Sequence, residues 1–353
     1  MHKLLGNFLN YFKVNRKNIL IIFFSFIMGA ILFASIFLYV DYKDLARNIF
    51  QFKWWKFAIF VVASIFNLFI TTYRWSIVLK AHGIKINFWR LYQYRLAGFG
   101  FSYMTPIAEL GGAPFRAYLL QKDGVKFGKG LLTVIIDNFL EVFTQSIIAA
   151  FGVAIFISHL GLSTKASWLF ALATILFIGL MGWIYVRLRK GQPVIAPLFK
   201  ILKLKKIYRK IKKLEEPFVA FFKNHKKAFL KAVCMSLLAF LTTVFEIGVL
   251  LYLMGHFIGI FNTFFAKVIL NASNMFPVPA ALGVSEWAQS GFFDGILHNK
   301  SLGLTFSLLF KAKNLFYALI GIGLFAYWWH KRVRWDKRLI NGIKQKINGQ
   351  KSD

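Results

Sequence analysis

The chain has 353 residues, is 58% hydrophobic, and carries 45 Lys and Arg against 13 Asp and Glu. It is more apolar than soluble domains, where about half is usual, and several runs exceed the ~20 apolar residues that cross a bilayer. Length therefore counts membrane spans, and no separate soluble domain is expected. The net charge of +32 would suit nucleic acid, but the basic residues lie mainly in loops between apolar runs, so no nucleic-acid partner is expected. A single cysteine, Cys234, excludes an intrachain disulfide and any cysteine-based metal site.

Basic residues up to Lys17 precede the run 18–40. That run is longer than a signal-peptide core and lacks an A-x-A cleavage site, so it reads as a spanning helix. Unbroken spans are predicted at about 19–40, 57–79, 131–157, 168–186, 232–255 and 302–329. Two interrupted segments lie between them, 105–116 (Thr105 to Arg116) and 276–286 (Phe276 to Glu286). Each carries helix breakers beside ionisable residues and is flanked by apolar stretches too short to cross alone. A lipid-exposed break would leave backbone groups unpaired at about several kcal/mol, so such breaks persist only where they line a cavity. In transporters, paired interruptions in the two halves point to the substrate site.

Orientation follows from charge. The stretch 187–231 holds fifteen Lys and Arg against Glu215 and Glu216, which places it in the cytoplasm with both termini. The loops 158–167 and 256–266 are nearly free of Lys and Arg and face outward, whereas 41–56 is assigned outside against its own mixed charge. Six full crossings require the hairpins at about 91–121 and 264–299 to return to the side they entered. The expected fold is a single all-α integral membrane domain of six spanning helices plus two re-entrant broken-helix hairpins. Half A (about 57–157) and half B (about 232–329) form an inverted repeat joined by the basic linker. Within that linker, 199–214 reads as an amphipathic helix bracketed by Pro197 and Pro217 and lying on the anionic inner leaflet.

Three local patterns carry a resemblance. They are Arg74-Trp75; Gly111-Gly112-x-Pro114-x-Arg116-Ala117-Tyr118-Leu119-Leu120; and Pro277-x-Pro279 followed by Leu282-Gly283-Val284-x-Glu286. From about Tyr73 to Trp328 the chain resembles the lysylphosphatidylglycerol synthase transmembrane region family, the flippase-like domain of the multiple peptide resistance factor. The resemblance implies an integral membrane protein that moves a lipid between leaflets. It does not extend to the soluble aminoacyl-transferase domain, so lysyl-lipid synthesis is not implied. The family usually places its first acidic residue after the glycines, whereas Glu109 precedes Gly111; it usually reads Pro-Gly-Gly where this chain has Pro279-Ala280-Ala281.

A charge at the bilayer centre costs about 2.5–3.5 kcal/mol or more, so each one is a functional candidate. Half A offers Arg74, Arg95, Glu109, Arg116, Asp137 and Glu141; half B offers Glu246, Lys267, Glu286, Lys311 and Lys313. Asp137 and Glu141, four apart, share a helix face and suit a proton, a cation, or pairing with Arg95 or Arg116. Lys311 lies about 14 Å into its span, near the midplane, and is expected close to Glu286. Arg116 and Lys311 are the residues expected to touch a lipid phosphate, helped by half-helix starts after Gly112 and Gly283. A structural ion pair is the competing reading of each. Glu246 suits a coupling proton or a bond to a neighbouring helix. The breaks themselves add Gly111, Gly112, Pro277, Pro279 and Gly283 to the site.

The seven histidines show no metal spacing, and no phosphate-cradling glycine signature or nucleophile elbow occurs, so neither metal nor cofactor is expected. The leading function is a flippase for an anionic or polyprenyl-linked phospholipid in the cell (inner) membrane. The alternatives are an intramembrane lipid-modifying enzyme resembling a glycosyl transferase, with Asp137 and Glu141 as base or metal ligands, and a non-transporting partner of a lipid synthase.

Overall fold

A computed structural model describes residues 16–104, 112–159, 164–201, 205–274, 276 and 278–349. Every regular element among them is helical. Glu109, Gly111 and Pro277 lie outside the described residues.

Helix α1 (Arg16–Ile36) is followed by a short amphipathic helix, α2 (Tyr42–Gln51). Residues 41–56, expected as an external loop, thus contain a helix; Asp41 caps it by accepting the Lys43 amide, and Leu45 turns into the core. Two 28-residue helices, α3 (Trp54–Ala81) and α10 (Lys226–Leu253), lie along each other. Their direction is antiparallel. Lys56 donates to the Leu253 carbonyl, Asn67 bonds the Ala239 carbonyl and Thr243 midway, and His82 meets His225 at the far end.

Each expected interrupted segment is flanked by a pair of helices. The first pair comprises α4 (Phe88–Met104) and α5 (Ala113–Leu120), and leads into α6 (Phe127–His159). The second comprises α11 (Gly259–Asn274) and, after a 3-10 turn at Pro279–Ala281, α12 (Val284–Leu297), and leads into α13 (Lys300–Gly349). Helix α13 continues well past 329, where the span was expected to end, since no proline intervenes. It runs antiparallel to α4, with Tyr103 near Lys311 and Phe101 near Phe325.

Among the described residues, five helical stretches are long and apolar enough to span: Trp55–Ala81, Phe127–Gly152, Leu172–Arg189, Lys226–Leu253 and Lys300–Tyr327. The first expected span is represented by the shorter apolar stretch Phe26–Ile36. Helix α7 (Thr164–Arg189) shows what these surfaces face. It exposes Leu172, Ile175, Leu176, Leu180, Trp183 and Val186, a continuous apolar side suited to acyl chains.

The basic linker forms α8 (Ala196–Ile201) and α9 (Lys205–Asn224). Pro217 was expected to end the amphipathic helix, yet α9 passes through it. The reason is tertiary. Val219, Phe221 and Phe222 beyond the proline are buried in a cluster with Ile136, Leu140 and Phe229, and that burial outweighs the lost amide bond. Glu215 of α9 fixes the turn that leads into α8 by accepting the amides of Val194, Ile195 and Ala196.

Candidate functional site

Asp137 and Glu141 project from one face of α6, as their spacing requires, into a group of three arginines. Arg74 of α3 reaches both carboxylates, Nε to Asp137 Oδ1 at 2.8 Å and a terminal nitrogen to Glu141 Oε2 at 2.6 Å. Its other nitrogen donates to Ser236 of α10. Arg95 of α4 donates to Asp137 Oδ2 at 2.9 Å and stands 3.6 Å from Glu141. Arg116 of α5 donates to the same Asp137 oxygen at 3.2 Å and to Asn138 at 2.5 Å, with its guanidinium 5.1 Å from the Trp75 ring centre. Arg74 and Asp137 are fully buried, while the Glu141 side chain keeps 32% exposure toward the cavity described below. Three cations face two carboxylates, so this cluster carries one positive charge in excess.

The junction at Gly112 places Arg116. Gly112 caps α5 and donates its amide to Ser102 of α4. A β-carbon at Gly112 would strike the Gly98 carbonyl, so glycine here lets the two halves of the unit approach closely.

The second unit holds a different set. Gly283, at φ +79°, caps α12 against Leu32 of α1, and Trp287 donates to the Leu32 carbonyl and to Ser35. Three residues beyond Gly283, Glu286 meets Lys311 of α13 at 2.7 Å, the proximity expected from sequence. The Lys311 ammonium also donates to the Ala281 carbonyl at 3.0 Å. Ala280 and Ala281 adopt φ of 53° and 48°, left-handed values that β-carbons disfavour. Pro279 begins the 3-10 turn that contains them.

Glu246 pairs with Lys313, a partnership that no local sequence pattern indicates. That pair and the arginine cluster share one cavity of about 250 Å³, lined in part by Arg95, Arg116, Glu141, Glu246 and Lys313. A second, small cavity of about 30 Å³ is lined by Lys311 and the Ala280–Ala281 turn. Ser102 and Asn314 line both, so the two spaces adjoin. Sequence reasoning missed Asn138, Ser236, Ser102 and Asn314. Their one sequence signal is a small polar residue within an apolar run.

Charges paired around polar cavities inside a helical, multi-pass membrane protein define the class. The chain belongs to the lysylphosphatidylglycerol synthase transmembrane region family, whose profile matches residues 20–321. It is also similar to a UPF0104 membrane protein of Methanothermobacter thermautotrophicus, at 36% identity over 84 residues, 24% of this chain and 25% of that protein.

Proposed function

We propose that this protein is a lipid transporter that moves an anionic or polyprenyl-linked phospholipid between the leaflets of the cell membrane. The observation that carries the reading is the cationic excess of the Arg74–Arg95–Arg116 cluster beside a cavity that adjoins the Lys311 pocket. A phosphate offsets the excess charge of this cluster through charge-assisted hydrogen bonds from its guanidiniums. The headgroup then passes from Arg116 to Lys311 by way of Ser102 and Asn314 while the acyl chains stay in the bilayer.

The organisation that goes with this reading has α1 as the sixth span, two re-entrant units and inverted halves within one polytopic domain, with both termini cytoplasmic. The antiparallel α3 and α10, each followed by a broken helix and a charged span, support it. The enzyme reading is weaker: Asp137 is held by three guanidiniums and Glu141 by two, which leaves neither carboxylate available as a base. Reconstitution tests the proposal: fluorescent phosphatidylglycerol in proteoliposomes should become accessible to an impermeant quencher faster than in protein-free vesicles. Equal rates for a set of anionic lipids would refute it.

A further inference from the structure

An anion that binds Lys313 must displace the carboxylate paired with it. Four carboxylates, two in the wall of the large cavity and two paired with side chains of its surroundings, stand near the cavities among the described residues, and they are not equivalent. Asp137 is held by three arginines; Glu141 is held by two and accepts from Gln145. Glu286 is fully buried, accepts from Ser285 as well as Lys311, and lines neither cavity. Glu246 differs on both counts. It lines the large cavity, and among the described residues Lys313 is the one cation paired with it. Lys313 has further support, with its ammonium 3.8 Å from the Phe310 ring centre and 5.1 Å from that of Phe60. Those rings stabilise the cation whether or not Glu246 remains ionised.

We infer that Glu246 and Lys313 form an exchangeable counter-ion site through which lipid movement carries a proton. The inference rests on the proposed transport of an anionic headgroup. A phosphate oxygen takes over the Lys313 ammonium. Glu246, buried and left without its cation, accepts one proton from the side to which the cavity is open. When the headgroup departs, the carboxyl releases that proton and pairs again with Lys313. One negative charge enters as another is neutralised, so the cavity keeps its net charge throughout. A buried unpaired carboxylate neutralises in preference to staying charged, which is the driving force for uptake.

The groups around Glu246 leave this assignment intact. From α13, Tyr317 lies within electrostatic reach of both Glu246 and Tyr92 of α4, and its hydroxyl donates to the Val61 carbonyl. From α3, Arg74 binds α10 at Ser236 and is committed to Asp137 and Glu141. From α6, Glu141 lines the same cavity. From α11, Lys267 donates to Asn271. Helix α9 meets α10 near its start, where Phe222 packs on Phe229.

The test is proton uptake by the purified full-length protein in weakly buffered detergent, read with a pH indicator as short-chain phosphatidylglycerol is added. Binding is measured in parallel by calorimetry. The parent should take up about one proton per lipid bound, Glu246→Asp should retain the uptake, and folded Glu246→Gln should bind without it. Lipid bound by the parent with no proton uptake overturns the coupling and leaves the transport reading standing. Uptake that persists in Glu246→Gln overturns the assignment to this residue. Equal uptake with inorganic phosphate alone makes this a phosphate site and not a lipid site. Failure of the parent to bind the lipid at all removes the transport reading, and the inference with it. If Glu246→Gln does not fold, the double variant Glu246→Gln with Lys313→Gln, which leaves no orphan charge, replaces it and should likewise show no uptake.

Discussion

Arg74 and Glu246 occupy the same place in two antiparallel helices of equal length, each twenty residues beyond the helix start, and they carry opposite charges. The correspondence extends to their partners. Arg116 lies near the start of α5 and Glu286 near the start of α12; Asp137 lies in α6 where Lys311 lies in α13. In half A, basic residues on the first span and the broken unit meet acids on the second span. In half B, acids on the first span and the broken unit meet lysines on the second. The pairing scheme is repeated with the signs exchanged, so each charge finds its partner within its own half.

That scheme predicts how the Glu246–Lys313 pair responds to substitution. Glu246→Ala leaves Lys313 as a buried orphan charge and should cost about 3–5 kcal/mol. Thermal unfolding in detergent should register the loss, and the exchange Glu246→Lys with Lys313→Glu should recover more than half of it. Equal losses in the single and exchanged variants would mean that the pair is not what stabilises this part of the fold.

Hydrophobic runs and four-residue spacing are legible in the amino-acid order itself. Five spans, the shared face of Asp137 and Glu141, and the approach of Glu286 to Lys311 follow from local pattern and depth. The union of Arg74 with Asp137 and of Glu246 with Lys313 is not legible there, because it depends on how helices more than sixty residues apart are set against each other. Pro217 misleads for a related reason: the local rule for proline yields to burial of Val219, Phe221 and Phe222 further along. The helix at Tyr42–Gln51 is hidden by its mixed charge.

The turn before α12 holds strain that can be relieved. Ala280 and Ala281 sit at positive φ. Ala280→Gly should stabilise the protein by about 0.5–1 kcal/mol, the reverse of the usual cost of glycine. A raised unfolding temperature would bear this out; a lowered one would mean that the turn relaxes when its methyl group is removed.

His82 lies beyond the end of the Trp55–Ala81 span, stacked on Phe221 of α9. Burial pushes its imidazole below the ordinary range, with His225 and Lys129 adding repulsion against the bond to the Val78 carbonyl. A depressed histidine favours the neutral form in the packed state. Its contribution is therefore present above about pH 6.5 and is lost as pH falls below it. Amide exchange across 218–229, corrected for intrinsic rate, should rise between about pH 7.5 and 5.5 in the parent and rise less in His82→Phe.

Topology can be tested at two exposed lysines. With Cys234 replaced by Ser, a cysteine substituted for Lys126 should react with impermeant reagent only from the cytoplasm. A cysteine substituted for Lys300 should react only from outside. Reaction of both from the same side would remove the inverted arrangement of the halves.

The most direct measurement of the central claim is lipid translocation by Arg116→Gln and Lys311→Gln in proteoliposomes of matched protein content. Glutamine keeps hydrogen bonding and removes the charge. Each variant should move labelled phosphatidylglycerol about tenfold or more slowly than the parent, in line with loss of a charged hydrogen bond worth about 1.5–3 kcal/mol. Folded, reconstituted variants that both move the lipid at the parental rate would contradict the account and leave Arg116 and Lys311 as structural ion-pair members.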